Sequence, residues 1–324
     1  LTGITVGKNV KTIGVGAFRG CNKLEDITFV DGGTEKLTIG NDAFYGCSVM
    51  DNIVLPARLV DIGANAFNNC KKIVKLVIPE GVTHIGAGAF SYCSYMTEVS
   101  LPKSLETMDL DIKGLFTVFS GCSALEKITV PESNTHFATI DNVLYQRTDK
   151  PVLDKDGNKV LNDDGTEKTV NVISTLLLCP QNKAGSTTVT VPGTVTGVAA
   201  SAFNSNKVVT EVLFGALEKG ETLTIGDQAF GNCAVLAKIA LPEGLGEIPA
   251  SMFYGCKTLE EVVIPSTVAT IGSRAFSGCS NLKTLTFTAT PAGQDPVDLV
   301  IADARSYYDS PFYSCNNLKE IVLP

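Results

Sequence analysis

The chain contains no tryptophan, two histidines and no long apolar run, and each scarcity excludes a class of protein. The longest apolar runs, such as residues 173–179, fall far short of the roughly 20 residues that a membrane span needs. No Ser/His/Asp or Cys/His set, phosphate-binding loop or dinucleotide fingerprint occurs, so the sequence predicts neither an enzyme nor a cofactor. No basic run exceeds two residues and the net charge is −8. Nucleic acid is therefore not expected as a partner, because it is bound by clustered Lys and Arg.

A 23-residue pattern recurs along most of the chain. It is clearest at 62–84, 85–107 and 248–270, with the consensus I-G-x-x-A-F-x-x-C-x-x-L-x-x-I-x-L-P-x-x-V-x-x. A fixed period of this length is the signature of a solenoid, in which each coil packs only on its neighbours. The phenylalanine of the pattern marks the units: Phe18, Phe44, Phe67, Phe90, Phe119, Phe203, Phe230, Phe253, Phe276 and Phe312.

Each unit divides into an extended half and a turn half. Alternating β-branched segments such as 76–79 predict a short strand that ends at proline, and stacked strands would form a parallel sheet on one face. Residues 82–85 predict a second extended piece. The Ala-Phe-x-x-Cys-x-x-Leu segment spaces its apolar residues at i, i+1, i+4 and i+7, which predicts a turn or so of helix facing the core. The expected fold class is therefore an α/β solenoid with short strands and helical turns.

The period is lost between Pro131 and Val198. Within this stretch, VLDKDGNK (152–159) is followed by the near duplicate VLNDDGTEK (160–168). Their Asp-Gly pairs are typical of hairpin turns. We expect a β-hairpin excursion at 132–197 within one continuous solenoid, whose repeats occupy 1–131 and 198–324. A small separate domain is the alternative.

Nine of the ten cysteines fall at one position of the repeat, which could indicate a disulfide framework, a string of metal sites or a ladder of buried thiols. Nine is an odd number, and no C-x-x-C or Cys/His zinc spacing occurs. Side chains in register on stacked strands lie ~4.8 Å apart, too far for the usual ~3.8 Å Cβ separation of a disulfide. Asn206 takes the position in the remaining unit. We therefore predict free thiols that hydrogen-bond a neighbouring turn, and no metal.

Three other features contain residue types that often take part in binding or catalysis. His84 precedes the repeat isoleucine, where sister units carry threonine, and we interpret it as a surface variation. The segment Asp154-Lys-Asp156-Gly-Asn158 could suggest calcium, but its glycine stands at position 4 rather than 6, which favours a simple turn. Four tyrosines lie around the Phe-x-x-Cys turn, on or near another edge than the strands: Tyr45, Tyr92, Tyr95 and Tyr254.

The exposed column of the strands is the surface most available to a partner. Repeat proteins commonly bind extended partners along such a surface, although valine and threonine also simply suit strands. The column has no aromatic residue, so stacking on sugars or bases is not expected there. The candidate binding residues are Val54, Lys75, Val77, Glu98, Glu211, Leu213, Lys238, Glu261 and Val263.

The repeat resembles the BspA-type (Treponema pallidum-type) leucine-rich repeat, because Gly, Ala-Phe, Cys and Pro recur together at fixed offsets. The stretch Ile140-Asp-Asn-Val-Leu-Tyr145 looks like the D-G-V-L-Y interruption common in such proteins, with Asn142 where Gly is usual. The resemblance implies a right-handed leucine-rich-repeat solenoid in an exported bacterial protein, at the cell surface or secreted. Some members are adhesins for host matrix proteins or other bacteria. The family brings no catalytic residues to carry over.

Two hypotheses about function follow. The first is a non-catalytic module that binds host or bacterial surface proteins through its strands. The second is a passive stalk or scaffold for domains outside this chain. Because the chain opens in mid-repeat and stops on the template proline, we expect it to be part of a longer protein. A deep pocket with clustered carboxylates near 132–197 would instead indicate an enzyme.

Overall fold

The computed structural model describes residues 1–111, 113–290 and 297–322, apart from the side chain of Asn52. Before the excursion the strands are β1 (Gly3–Val6), β2 (Thr12–Ile13), β3 (Asp26–Phe29), β4 (Leu37–Ile39), β5 (Asn52–Ile53), β6 (Leu59–Ile62), β7 (Lys75–Val77), β8 (His84–Ile85), β9 (Glu98–Ser100), β10 (Thr107–Met108) and β11 (Lys127–Thr129). The excursion holds β12 (Phe137–Ile140), β13 (Val143–Pro151) and β14 (Thr169–Leu178). After it come β15 (Thr188–Val191), β16 (Gly197–Val198), β17 (Glu211–Phe214), β18 (Thr224–Ile225), β19 (Lys238–Ala240), β20 (Glu247–Ile248), β21 (Glu261–Ile264), β22 (Thr270–Ile271), β23 (Thr284–Phe287), β24 (Val300–Ile301), a 3-10 helix (Tyr307–Asp309) and β25 (Glu320–Ile321).

The coils stack so that their strands form two parallel columns, as the repeat predicts. Outside the excursion, the odd-numbered strands form the first column and the even-numbered strands the second. Equivalent positions of the repeat lie side by side, as where Leu76 pairs with Val99 and Val77 with Ser100. The strand expected at 82–85 is β8, which pairs with β6 and β10. The structure is thus a parallel-strand β-solenoid of the leucine-rich-repeat type.

The turn half of each unit is not helical, so the α/β class and the helical turns predicted from its apolar spacing are wrong. In one unit the Ala66 N–H donates to Gly63 O three residues back, whereas the next N–H, of Phe67, donates to Ala89 O of the following coil. Because alternate N–H groups point along the stack, the i→i−4 ladder of an α-helix cannot form. Within 1–111, 113–290 and 297–322, the 3-10 helix at Tyr307–Asp309 is the sole helical element.

The repeat phenylalanines stack along the core in two series, from Phe18 to Phe119 and from Phe203 to Phe312. Neighbouring rings within each series lie 4.8–5.9 Å apart between centroids, with planes inclined by 2–26°. Between them, Ala, Leu, Ile and Cys of the repeat are buried. No single unit encloses its own apolar side chains, and burial therefore comes from stacking.

The excursion is an antiparallel meander whose last strand rejoins the solenoid. β12 pairs with β13 and β13 with β14, both antiparallel. The end of β14 then pairs in parallel with β16, Leu176 beside Val198, and so enters the second column. Each copy of the tandem duplication closes a small hairpin, through the bridges Leu153–Lys159 and Leu161–Glu167.

Candidate binding face

The first-column strands turn alternate side chains inward and outward, and the outward ones form what we call the strand face. On β7, Leu76 is buried while Lys75 and Val77 are exposed. This is the period-two alternation of a sheet with one face on the core. The candidate residues on first-column strands therefore project from the solenoid, and Val54, immediately after β5, is exposed too.

The candidates before the excursion form one group. Val54 and Val77 are 79% and 65% exposed, large fractions for valine. Beside them, Lys75 Nζ lies 3.0 Å from Glu98 Oε2, across the register of β7 and β9. Two apolar side chains thus lie beside an ion pair that solvent can reach.

The candidates after the excursion form a second group around a shallow depression of about 580 Å³. Glu211 pairs with Lys238 and Leu213 with Ala240, in the register of β17 and β19. β21 lies next to β19 and adds its own side chains. The outward-facing lining of the depression comprises Glu211, Leu213, Lys238, Ala240, Glu261 and Val263.

The two groups are separated along the chain. β11, the excursion and β15 lie between them along the chain. Each group combines exposed aliphatic carbon with charges of both signs, which suits a protein partner better than a polyanion. An isolated basic patch for nucleic acid would require clustered cations.

The cysteine ladder is structural. All ten cysteines are free thiols, and in eight of the units the Sγ donates to the phenylalanine carbonyl of the preceding coil, as Cys256 does to Phe230 O at 3.0 Å. Burial raises the pKa of Cys47 to about 11 and that of Cys122 to about 12. Thiolate, the reactive form, is therefore scarce at neutral pH, which disfavours nucleophilic chemistry.

A histidine held between two carboxylates is the feature that sequence reasoning missed. His84 Nδ1 lies 2.6 Å from Asp61 Oδ1, and its Nε2 lies 2.9 Å from Asp109 Oδ2. Partial burial opposes the charged imidazolium, but the hydrogen bonds to Asp109 and Asp61 and their negative charges outweigh it, so the pKa of His84 is raised. Asp61 occupies the same repeat position as His84 and could have been found by aligning the units. The unit before Phe119 carries a six-residue insertion within residues 108–118, since Phe119 follows Phe90 by 29 residues rather than 23. Asp109 belongs to this insertion, and no spacing rule predicts its position.

Neither a metal-binding cluster nor a membrane-spanning helix occurs in residues 1–111, 113–290 and 297–322. Within them, no group of three or more His, Cys, Asp and Glu side chains is arranged to hold a metal ion. In the same ranges, no helix has the length and apolarity to cross a membrane.

These observations define a β-solenoid repeat protein with a free outer strand face. The repeat family described as the BspA type leucine rich repeat region matches it in six copies, over residues 1–37, 34–148 and 181–292. The chain belongs to this family, which confirms the resemblance seen in the repeat. No curated protein is significantly similar to the chain.

Solved structures of bacterial leucine-rich-repeat proteins have a similar fold. A leucine rich cell surface protein of Faecalibacterium prausnitzii is 26% identical with a TM-score of 0.66, over 99% of this chain and 78% of that one. The pneumococcal vaccine antigen PcpA is 26% identical with a TM-score of 0.72, over 99% of this chain and 67% of that one. A leucine-rich repeat protein of Eubacterium ventriosum, 22% identical over 100% of this chain and 66% of that one, has a TM-score of 0.56 and shows the fold alone. This chain is a repeat protein of the bacterial surface-protein type.

Proposed function

We propose that this chain is a non-catalytic adhesion module, displayed at the cell surface or secreted, whose strand face binds a host or bacterial surface protein. The observation that carries the proposal is the exposed depression on β17, β19 and β21. It places Leu213 and Val263 beside Glu211, Lys238 and Glu261. Apolar centres ringed by mixed charges are typical of transient protein interfaces.

The similar structures support the surface location. One is described as a cell surface protein and another as a vaccine antigen, each 26% identical to this chain over nearly its whole length. Solenoids of this kind offer an extended, regular surface on which an elongated partner can be bound along several coils.

A passive stalk or scaffold is the second candidate, and one observation favours it. Ion pairs on this face join successive coils, as Lys75 does with Glu98 at 3.0 Å and Lys283 with Glu260 at 2.7 Å. Such ion pairs are expected on any solvent-exposed sheet and do not indicate a ligand. The adhesion module and the stalk make different predictions. Replacing the apolar side chains of the strand face should abolish binding by an adhesion module, whereas in a stalk it should affect only solubility.

The test is a triple variant of the strand face, Val77→Glu, Leu213→Glu and Val263→Glu. The chain is screened at physiological salt against immobilised host matrix proteins and bacterial surface proteins. We expect saturable binding by the unchanged chain and a loss of about tenfold or more in the variant, because the new carboxylates must be desolvated in the interface.

The matched control places the same three charges elsewhere. Val15, Leu153 and Leu161 are comparably exposed but lie off the strand face, so their replacement by Glu should leave binding unchanged. Circular dichroism and the unfolding midpoint verify that both triple variants are folded. Undiminished binding by the strand-face variant would contradict the site, and no binding across the panel would favour the stalk.

A further inference from the structure

A second depression lies away from the strand face, where the insertion before Phe119 stands beside the turns of two preceding coils. Its volume is about 550 Å³, within the range of small-molecule sites. Its lining combines amide, hydroxyl and carboxylate groups with one aromatic ring, and includes no Lys or Arg. The polar and aromatic side chains that matter here are Asn65, Asn68, Ser91, Tyr92, Asp109 and Asp111.

Tyr92 has a backbone conformation that disfavours a large side chain. Its φ is +59°, in the left-handed region that costs an L-residue about 1–2 kcal/mol and is least suited to bulky residues. It stands immediately before the repeat cysteine, where every other unit with a described positive φ carries a small or polar residue. Those residues are Gly20, Gly46, Asn69, Gly121, Ser205, Asn232, Gly255, Gly278 and Ser314.

The Tyr92 ring lies against the backbone of the next coil. A Cβ added to Gly121 would lie 2.5 Å from Tyr92 Cδ1, so the ring in its present position is compatible with glycine there. The ring is held against this backbone, yet Tyr92 remains 58% exposed. The turn of the repeat imposes the positive φ, as in the other units, but core burial does not explain why a large aromatic residue occupies this position. A bulky residue held in a strained conformation without a packing role is typical of a binding site.

The polar groups around the ring are held in place by the protein. Asn68 Nδ2 donates to Asn65 Oδ1 at 3.0 Å. Asp109 uses Oδ2 to bind His84, and Asp111 uses Oδ1 to accept the N–H groups of Lys113 and Leu115. The second oxygen of each carboxylate makes no hydrogen bond to a described residue. Both are thus available as preorganised acceptors for a ligand hydroxyl.

We propose that this depression binds a neutral saccharide, with one sugar ring stacked on Tyr92. A pyranose has a face of C–H bonds that can pack on an aromatic ring and a rim of hydroxyls that donate to Asp109 and Asp111 and accept from Asn65. The lining has two carboxylates, of which only Asp109 is paired with an imidazole, that of His84. This charge disfavours sulfated, phosphorylated and sialylated sugars. The site is independent of the strand face.

The test uses the full 324-residue chain and an array of immobilised oligosaccharides ending in galactose, N-acetylglucosamine, mannose or fucose, with sialylated and sulfated counterparts. We expect saturable binding to at least one neutral glycan. Tyr92→Asn should weaken it about tenfold or more, whereas Tyr92→Phe should keep most of it because the ring remains. Tyr95→Asn is the matched control, since Tyr95 is equally exposed but does not line the depression.

Loss of binding through misfolding can be recognised. Asn occupies the same left-handed position at Asn69 and Asn232, so Tyr92→Asn should have an unfolding midpoint equal to or above that of the unchanged chain. The proposal is overturned by an array with no neutral binder, by binding confined to anionic glycans, or by neutral binding that Tyr92→Asn leaves intact. The strand-face triple variant should bind the glycan normally, which keeps this result separate from the protein-binding proposal.

Discussion

At the scale of single residues, the repeat cysteine acts as a buried hydrogen-bond donor rather than as a reactive group. In one unit Asn206 takes the place of the cysteine and makes equivalent hydrogen bonds. Its Nδ2 donates to Pro180 O at 2.7 Å, where a cysteine would donate to a phenylalanine carbonyl, and its Oδ1 accepts from the N–H groups of Val208 and Val209. The exchange of Cys for Asn was visible in the sequence, and it correctly indicated this role. What both residues share is a short side chain that reaches the preceding coil.

His84 provides a prediction at the same scale. Its pKa is raised in the folded chain, so the imidazolium stabilises the fold. The stabilisation is complete below the unfolded pKa of about 6.5 and is lost as pH rises through the folded pKa. His84→Thr, which restores the residue of sister units, should lower the free energy of unfolding by about 1 kcal/mol at pH 5.5 and by less at pH 9.

Urea titrations at pH 5.5, 7.5 and 9 measure this difference. His136→Thr is the control, because the His136 ring hydrogen-bonds the hydroxyl of Thr135 rather than a carboxylate. The prediction is wrong if the difference in free energy of unfolding between His84→Thr and the unchanged chain is the same at all three pH values. The charge of His84 would then not be responsible for it.

At the scale of elements, the turn between β12 and β13 adds a second contact between the excursion and the solenoid, besides the pairing of β14 with β16. Asp141 and Asn142 both have positive φ, 45° and 63°, which explains why glycine is usual at the second position in related interruptions. Asn142 Nδ2 donates to Ala184 O. Lys183, whose side chain is 0% exposed, places Nζ 2.6 Å from Asp141 Oδ2. A charged pair, partly buried, therefore joins the meander to the returning coil.

Replacing only one partner of the Asp141–Lys183 pair should lower the free energy of unfolding more than replacing both partners. In Asp141→Ala the buried ammonium of Lys183 retains only the carbonyls of Ala184 and Ser186, and we expect a loss of about 2–3 kcal/mol. The double variant Asp141→Ala, Lys183→Met also removes the unpaired ammonium, so its free energy of unfolding should fall by less.

Urea unfolding of the two variants checks the order. Glu167→Ala, which breaks the exposed Lys159–Glu167 pair, is the control and should lose less than about 1 kcal/mol. A double variant less stable than Asp141→Ala would contradict the explanation.

At the scale of the whole molecule, the buried side chains form two clusters. One runs from the first coils to Leu177 and contains Phe67, and the other runs from Val143 to Leu285 and contains Phe253. Ala199 packs against both. The division of the chain at 131/132 and 197/198 stays a prediction, since the end of β14 already belongs to the second column.

Nearest-neighbour packing predicts that damage in one cluster spreads only locally. Phe67→Ala removes one member of the ring stack and should lose about 3–5 kcal/mol. Amide exchange should accelerate in the coils of Phe44 and Phe90 and change little around Phe253.

Hydrogen-exchange mass spectrometry measures the pattern, and Phe253→Ala is the mirror-image control. Its acceleration should be confined to the coils of Phe230 and Phe276. Equal acceleration in both clusters from either variant would indicate one cooperative unit in place of a linear array.

The sequence by itself determined whatever repeats with the period of the solenoid. The first-column strands, the parallel stacking, the thiol ladder and the family follow from residues at fixed offsets, because each coil sees the same neighbours. The Asp-Gly turns were equally readable, since Gly157 and Gly165 do take positive φ. These features depend only on residues close together in the sequence or repeated at a fixed offset, so the sequence is sufficient to predict them.

Only the tertiary structure decided what depends on contacts between coils. The turn half has helical spacing, but its N–H groups alternate between their own coil and the next, and inter-coil hydrogen bonding excludes the helix. Asp109 reaches His84, and Gly121 makes room for Tyr92, across separations that the inserted residues alter. A periodic sequence predicts its own repeat, whereas contacts made by insertions and exceptions depend on the three-dimensional positions of neighbouring coils.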